Sequence, residues 1–142
     1  MPHLKLLKSG NLSEESIQKT VIHRIRIDPL LRKLIIHIPN EGKRSPRYGK
    51  LLKDMGLREG VFDLQVLMAR RGFIGAWIEL KSQDGKLTQA QKEFQKDMHE
   101  QNYFTAVCHS IEEAIQVIEW YCFPEAHQSS QPVPCVQKQR LV

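Results

Sequence analysis

The chain has 142 residues, 41% hydrophobic and 26% charged, which is the size and ordinary composition of one folded domain. Those proportions exclude a collagen-like chain and disorder throughout, and no apolar run approaches the ~20 residues that a spanning helix needs. The net charge of +5 is unevenly spread: residues 1–60 hold thirteen Lys/Arg against six Asp/Glu, residues 61–142 eight against ten. Lys43 to Arg58 alone holds six basic residues and one acid. Such a field attracts phosphate backbones, an acidic protein or an anionic membrane surface. No apolar stretch follows Lys5 and Lys8, so no secretory signal is expected. Cys108, Cys122 and Cys135 form no CxxC pair and fit a reducing cytoplasm better than a disulfide scaffold or zinc ribbon.

Residues 1–11 read as a basic leader. Ser13 is an N-cap with Glu14 and Glu15 in the first turn, and Leu12 and Ile17 stand at the positions of a hydrophobic staple. Ile17, Val21, Ile22 and Ile25 then form one helical stripe, which Asp28-Pro29 ends. Glu14 projects near the centre of that stripe with Gln18 beside it, and Glu15 sits at its edge. Leu34 to Ile38 reads as a strand. Ser45 followed by Pro46 starts a second helix, with Tyr48, Leu51, Leu52 and Met55 on its apolar face and Arg47, Lys50 and Lys53 opposite; Gly56 stops it. Val61 to Met68, the turn Arg70-Arg71-Gly72 and Phe73 to Lys81 make a hairpin. Thr88 caps a helix to about Asn102 that buries Ala90, Phe94 and Met98. Tyr103 to His109 is a strand, and Ser110 caps the last helix. The order is α-β-α-β-β-α-β-α, an α/β domain over residues 12–123, with 124–142 a Gln/Ser/Pro tail.

Asp63 lies at the start of one hairpin strand, and Glu79 and Lys81 near the end of its partner. Two residues apart on a strand means one face, so Glu79 and Lys81 project together while Leu80 points the other way. Counting back across the hairpin places Asp63 near Glu79. Two carboxylates offer hard oxygen ligands that suit Mg²⁺ or Mn²⁺, with the Leu80 carbonyl as a further ligand, and Lys81 can orient a water or hold phosphoryl oxygens. An Asp, a Glu and a Lys on neighbouring strands more often make a surface ion pair worth under ~1 kcal/mol. Here, however, Ile74, Trp77, Ile78 and Leu80 describe a central strand, where charges are costly unless paired.

Gly60-Val61-Phe62-Asp63, Trp77-Ile78-Glu79-Leu80-Lys81 and Gly85-Lys86-Leu87-Thr88-Gln89-Ala90-Gln91 resemble the VRR-NUC family, the virus-type replication-repair nucleases of the PD-(D/E)XK superfamily. Glu14 to Gln18 is similar to the family's opening helix, and Pro39 to Arg44 to its loop before the basic helix. The resemblance covers roughly residues 12–121. It implies a restriction-endonuclease-like core, a central mixed sheet flanked by helices, and Mg²⁺- or Mn²⁺-dependent cleavage of DNA with no organic cofactor. Carried onto this chain, it makes Asp63 and Glu79 metal ligands, Lys81 the catalytic lysine, Glu14 the additional helix acid and Gln91 a support beside Lys81. The family usually has proline before the aspartate; Phe62 stands there instead, a change in backbone shaping rather than in a reacting group. Free-standing phage and prophage members of this length imply a cytoplasmic homodimer acting on four-way DNA junctions, whereas Fanconi-associated relatives act on flaps.

Lys43, Arg44, Arg47, Lys50 and Lys53 are the candidates for tracking phosphates; the plainer reading is a solvated helix face. A non-catalytic DNA-binding module and an RNA-directed nuclease are the rival readings. His37, His99 and His109 lack metal-ligand spacing with any cysteine pair, Gly42 and Gly49 lack a P-loop ending, and Trp77 reads as buried rather than base-stacking.

Overall fold

The computed structural model describes residues 11–39 and 44–128. Helix α1 (Glu14–Ile25) begins at Ser13, whose side chain accepts from the Ser16 N–H, and buries Ile17, Val21 and Ile25. A one-turn helix α2 (Leu31–Leu34), absent from the sequence reading, follows it. Its cause is Asp28: Oδ1 accepts from the N–H groups of Leu30 and Leu31, so the residue expected only to stop α1 also starts the next turn. Strand β1 is therefore Ile35–His37, with Leu34 helical and Ile38 just beyond it.

Helix α3 (Pro46–Asp54) is capped by Ser45 as its sequence predicts. Its packing is not as expected. No residue of α3 is buried, and Tyr48, Leu51 and Met55 are 50%, 51% and 74% exposed. Arg47, Lys50 and Lys53 face water as well, so the helix presents both its faces to solvent.

Strands β2 (Leu64–Val66) and β3 (Ala76–Leu80) are shorter than the hairpin anticipated, because only those residues share a register, Leu64 opposite Ile78 and Val66 opposite Ala76. The connection carries Arg71 and Gly72 at φ of 52° and 82°, the paired positive values of a type I′ turn. Ile74, expected within the central strand, falls in this connection and is 55% exposed. Helix α4 (Gln89–Glu100) crosses over to β4 (Phe104–Cys108), which lies parallel to β3, and α5 (Ile111–Cys122) closes the fold. The result is a mixed four-stranded sheet in the order β1-β2-β3-β4, with flanking helices.

Strand alternation divides the core between the two faces of the sheet. Ala76, Ile78 and Leu80 of β3, with Phe104, Ala106 and Cys108 of β4, pack with α1 and α5 in the larger apolar cluster. On the opposite face Trp77, Phe62 and Val107 meet Phe94 of α4, with Met98 partly buried beside them. Trp77 stands edge-on to Phe94 at 5.0 Å, in the core as expected. No described helix is long and apolar enough to cross a membrane.

One close approach fixes α4. Gly60, at φ +83°, lies so near the first turn of α4 that an added Cβ would fall 2.4 Å from the Ala90 carbonyl carbon and 2.7 Å from the Gln91 nitrogen. Gly60→Ala is expected to cost roughly 2–4 kcal/mol, from left-handed backbone strain plus overpacking. Gly56→Ala, at φ +102° with nothing within 4 Å, should lose only the strain, roughly 1–2 kcal/mol. Urea denaturation of both variants checks this, and equal losses would remove the role given to the close approach.

Candidate active site

The register of the hairpin, extended by one pair, sets Asp63 opposite Glu79 at one end of the central strand. Both carboxylates are buried, Asp63 at 4% exposure and Glu79 at 0%. They interlock through the backbone: the Asp63 N–H donates to Glu79 Oε2 at 3.2 Å, and the Leu80 N–H donates to Asp63 Oδ2 at 2.9 Å. Lys81, 6% exposed, brings its ammonium 3.1 Å from Glu79 Oε1. As alternation demands, Leu80 is on the other face in the apolar core.

Gln91 joins them from α4. Its Nε2 donates to Glu79 Oε1 at 2.6 Å, while its Oε1 accepts from the Thr88 N–H at 3.0 Å. Thr88 in return accepts from the Gln91 N–H, so a capping box holds the side chain that supports Glu79. One residue thus serves the helix end and the carboxylate together.

Glu14 approaches from α1, on the far side of the sheet, with Oε1 3.5 Å from the Ser82 nitrogen, next to Lys81. Glu15 points away, paired with Lys19 on the surface. The turn at Gly85 is confined: a Cβ there would lie 3.2 Å from Glu14 Oε1 and 3.1 Å from Lys81 Cβ. His109, at the end of β4, ties down the same turn through Nε2 and the Gly85 carbonyl at 3.0 Å.

The structure thus gathers Asp63, Glu79, Lys81 and Gln91, and brings Glu14 to the edge of the group. The basic candidates are not part of this cluster. Arg44 donates to the Pro39 carbonyl, Lys53 pairs with Glu59 at 2.7 Å, and Arg47 and Lys50 are exposed on α3. Lys43 lies outside the described residues, as do residues 1–10 of the leader, the tail beyond 128 and Cys135. Sequence reasoning missed two supports. Gly60 seats α4, and its only signal was its place ahead of Val61-Phe62-Asp63. His37 donates from Nδ1 to the Asp63 carbonyl at 2.9 Å, a contact across 26 residues with no local signature.

Burial and the charge of Asp63 push the Glu79 carboxyl up to about 8, and the attraction of Lys81 offsets this only in part. Two carboxylates held this close in a dry site repel each other, and a divalent cation relieves that repulsion. The carboxylate oxygens of Asp63 and Glu79 are hard donors that suit a divalent cation bound through one or two carboxylates with several waters kept. Among the described residues no three of His, Cys, Asp and Glu gather to hold a metal by themselves.

Comparison with known proteins bears on the family and the fold. A family model described as the VRR-NUC domain matches residues 12–112. A solved structure described as a "VRR_NUC domain protein" superposes with a TM-score of 0.71 at 26% identity, covering 87% of this chain and 100% of its own. No curated protein matches the chain.

The raised carboxyl of Glu79 gives the metal-free fold a pH dependence. In the folded protein Glu79 keeps its proton to about pH 8, whereas the unfolded carboxyl releases it near 4.3. Between those values the native state binds more protons, so this contribution to stability is full below the unfolded value and falls as pH rises toward 8. Asp63→Asn removes the repelling charge. In EDTA it is expected to melt a few degrees above the parent at pH 8 and to lose that advantage at pH 5. A melting temperature at pH 8 no higher than the parent's would contradict it.

Proposed function

Because the chain belongs to the VRR-NUC family of PD-(D/E)XK-type nucleases, we propose that it is a metal-dependent, structure-selective DNA endonuclease that resolves four-way junctions as a homodimer. The observation that carries the catalytic reading is the buried cluster of Asp63, Glu79, Lys81 and Gln91 at the end of the central strand. Buried ionisable groups whose pKa values burial and a near neighbour shift strongly cluster at functional sites.

In this reading Asp63, Glu79 and the Leu80 carbonyl hold Mg²⁺ or Mn²⁺. Such a cation, when bound, supplies positive charge to the phosphodiester transition state. Gln91 and Lys81 both donate to Glu79 Oε1, which fixes the orientation of that carboxylate. The remaining Lys81 donors orient the attacking water and hold the phosphoryl oxygens. Glu14 is the acid that α1 adds at the Ser82 turn. Water adds its oxygen to phosphorus as one P–O ester bond breaks, and its proton passes to the departing alkoxide. Lys43, Arg44, Arg47, Lys50 and Lys53 contact the DNA backbone beyond the cut.

A second copy of the chain is supported by the apolar side of α3. Tyr48, Leu51 and Met55 are half or more exposed, and a two-fold pair would bury them while setting two sites for paired cuts. Leu51→Glu is expected to shift the protein to monomer in sedimentation; a parent that is already monomeric removes the dimer and leaves the nuclease reading intact.

The decisive experiment is cleavage of labelled four-way junction, 5′ flap and linear duplex in Mg²⁺, Mn²⁺ or EDTA. Cuts confined to the junction, abolished by EDTA and reduced roughly 10²–10³-fold by Lys81→Ala, are expected. Mg²⁺ or Mn²⁺ should also raise the melting temperature of the parent and not that of Asp63→Asn. Binding without cutting in either metal would reduce the protein to a DNA-holding module.

A further inference from the structure

A groove of about 480 Å³ runs between α1, α2 and β1. Ile22, Ile25 and Ile35 form its apolar floor, and its walls carry Lys19, His23, Arg26, Arg32 and His37. No acidic side chain lines it. Lys19 is engaged by Glu15, but Arg26 and Arg32 are exposed, and neither is in an ion pair among the described residues. Arginines without a carboxylate partner beside an acid-free cleft present their full fork of donors to an anion, and phosphate matches that fork.

The groove is joined to the acidic cluster at two points. His37, on its β1 wall, donates to the carbonyl of Asp63. Gln18, on its α1 wall, is one turn along the same helix from Glu14, whose carboxylate meets the turn after Lys81. From Glu14 to Arg26 the helix rises about 18 Å. At ~3.4 Å per nucleotide along a duplex strand, that is about five nucleotides.

We propose that this groove is a phosphate track for one DNA strand, in which Arg26 and Arg32 hold the backbone about five nucleotides from the bond that is cut. It rests on the nuclease reading of the acidic cluster and adds to it a second basic surface, separate from α3. The track carries no base readout: its charged donors recognise backbone, and sequence enters only through DNA shape.

The test is binding of the full chain in EDTA, measured by fluorescence anisotropy on junctions with arms of fifteen or of four base pairs. Arg26→Ala/Arg32→Ala is expected to weaken binding to the long-armed junction roughly tenfold at low salt and to reduce the salt slope by about 2. On the four-base-pair arms, which end short of the track, the double variant and the parent should bind alike. Unchanged affinity and slope on long arms would overturn the proposal, as would an equal loss on both arm lengths. If only Arg47→Ala/Lys50→Ala weakens binding, DNA recognition stands and the groove has no part in it. If the folded parent binds no DNA at all, the nuclease reading fails and the groove's role falls with it.

Discussion

A glutamate with no exposed surface on the central strand is the constraint around which the rest of the site is arranged. An unpaired carboxylate in that position would be far too costly to retain. Glu79 instead receives three donors from three places: the Asp63 backbone across the hairpin, Gln91 from α4, and Lys81 two residues along its own strand. Each donor imposes a structural condition. The hairpin register must hold to the residue, α4 must begin where Gly60 lets it approach, and the chain after β3 must continue extended as far as Lys81. The Lys81 N–H meets this last condition by donating to the Cys108 carbonyl at 2.8 Å, carrying the parallel ladder one step past Leu80.

The two faces of the sheet are built differently. The face toward α1 and α5 carries the larger apolar cluster, and it supplies most of the burial that makes the fold stable. Toward α4, polar groups are interleaved with aromatic ones. Beyond Gln91, the Gln95 amide and the His99 ring both bond the Thr105 hydroxyl, at 3.0 and 2.6 Å. This helix therefore packs through Phe94 and also hydrogen-bonds the sheet through a row of side chains, which fixes its rotation about its own axis. A helix held by hydrophobic contact alone could roll and move Gln91 off Glu79.

Local chemistry was readily legible. Ser13, Ser45, Thr88 and Ser110 each cap a helix where their sequence predicts, because an N-cap bonds to a residue two or three positions on. The shared face of Glu79 and Lys81 follows from the two-residue period of a strand. Less legible were element ends. Asp28 was read as a stop and is also a start, and β2 and β3 shrink to the residues that find a partner. Ile74 has the side chain of a buried strand residue and lies in the turn, because the type I′ geometry at Arg71-Gly72 places the hairpin's end, not hydrophobicity.

By itself the sequence determined the α/β order, the starts of α1, α3, α4 and α5, and the facing of Asp63 toward Glu79 and Lys81, which depend on spacings of two to four residues or on one tight hairpin. The mixed sheet and the family followed from the resemblance of whole segments, Gly60 to Asp63, Trp77 to Lys81 and Gly85 to Gln91. Only the tertiary structure decided that Tyr48, Leu51 and Met55 on the apolar face of α3 stay half or more exposed, that His37 reaches the Asp63 carbonyl, and that α1, α2 and β1 line a basic groove. Each of these is a relation between surfaces brought together by the packing of whole elements. The periodicity of one segment says which side is apolar; what stands opposite it is set by the register of the sheet and the direction of the chain that returns to it.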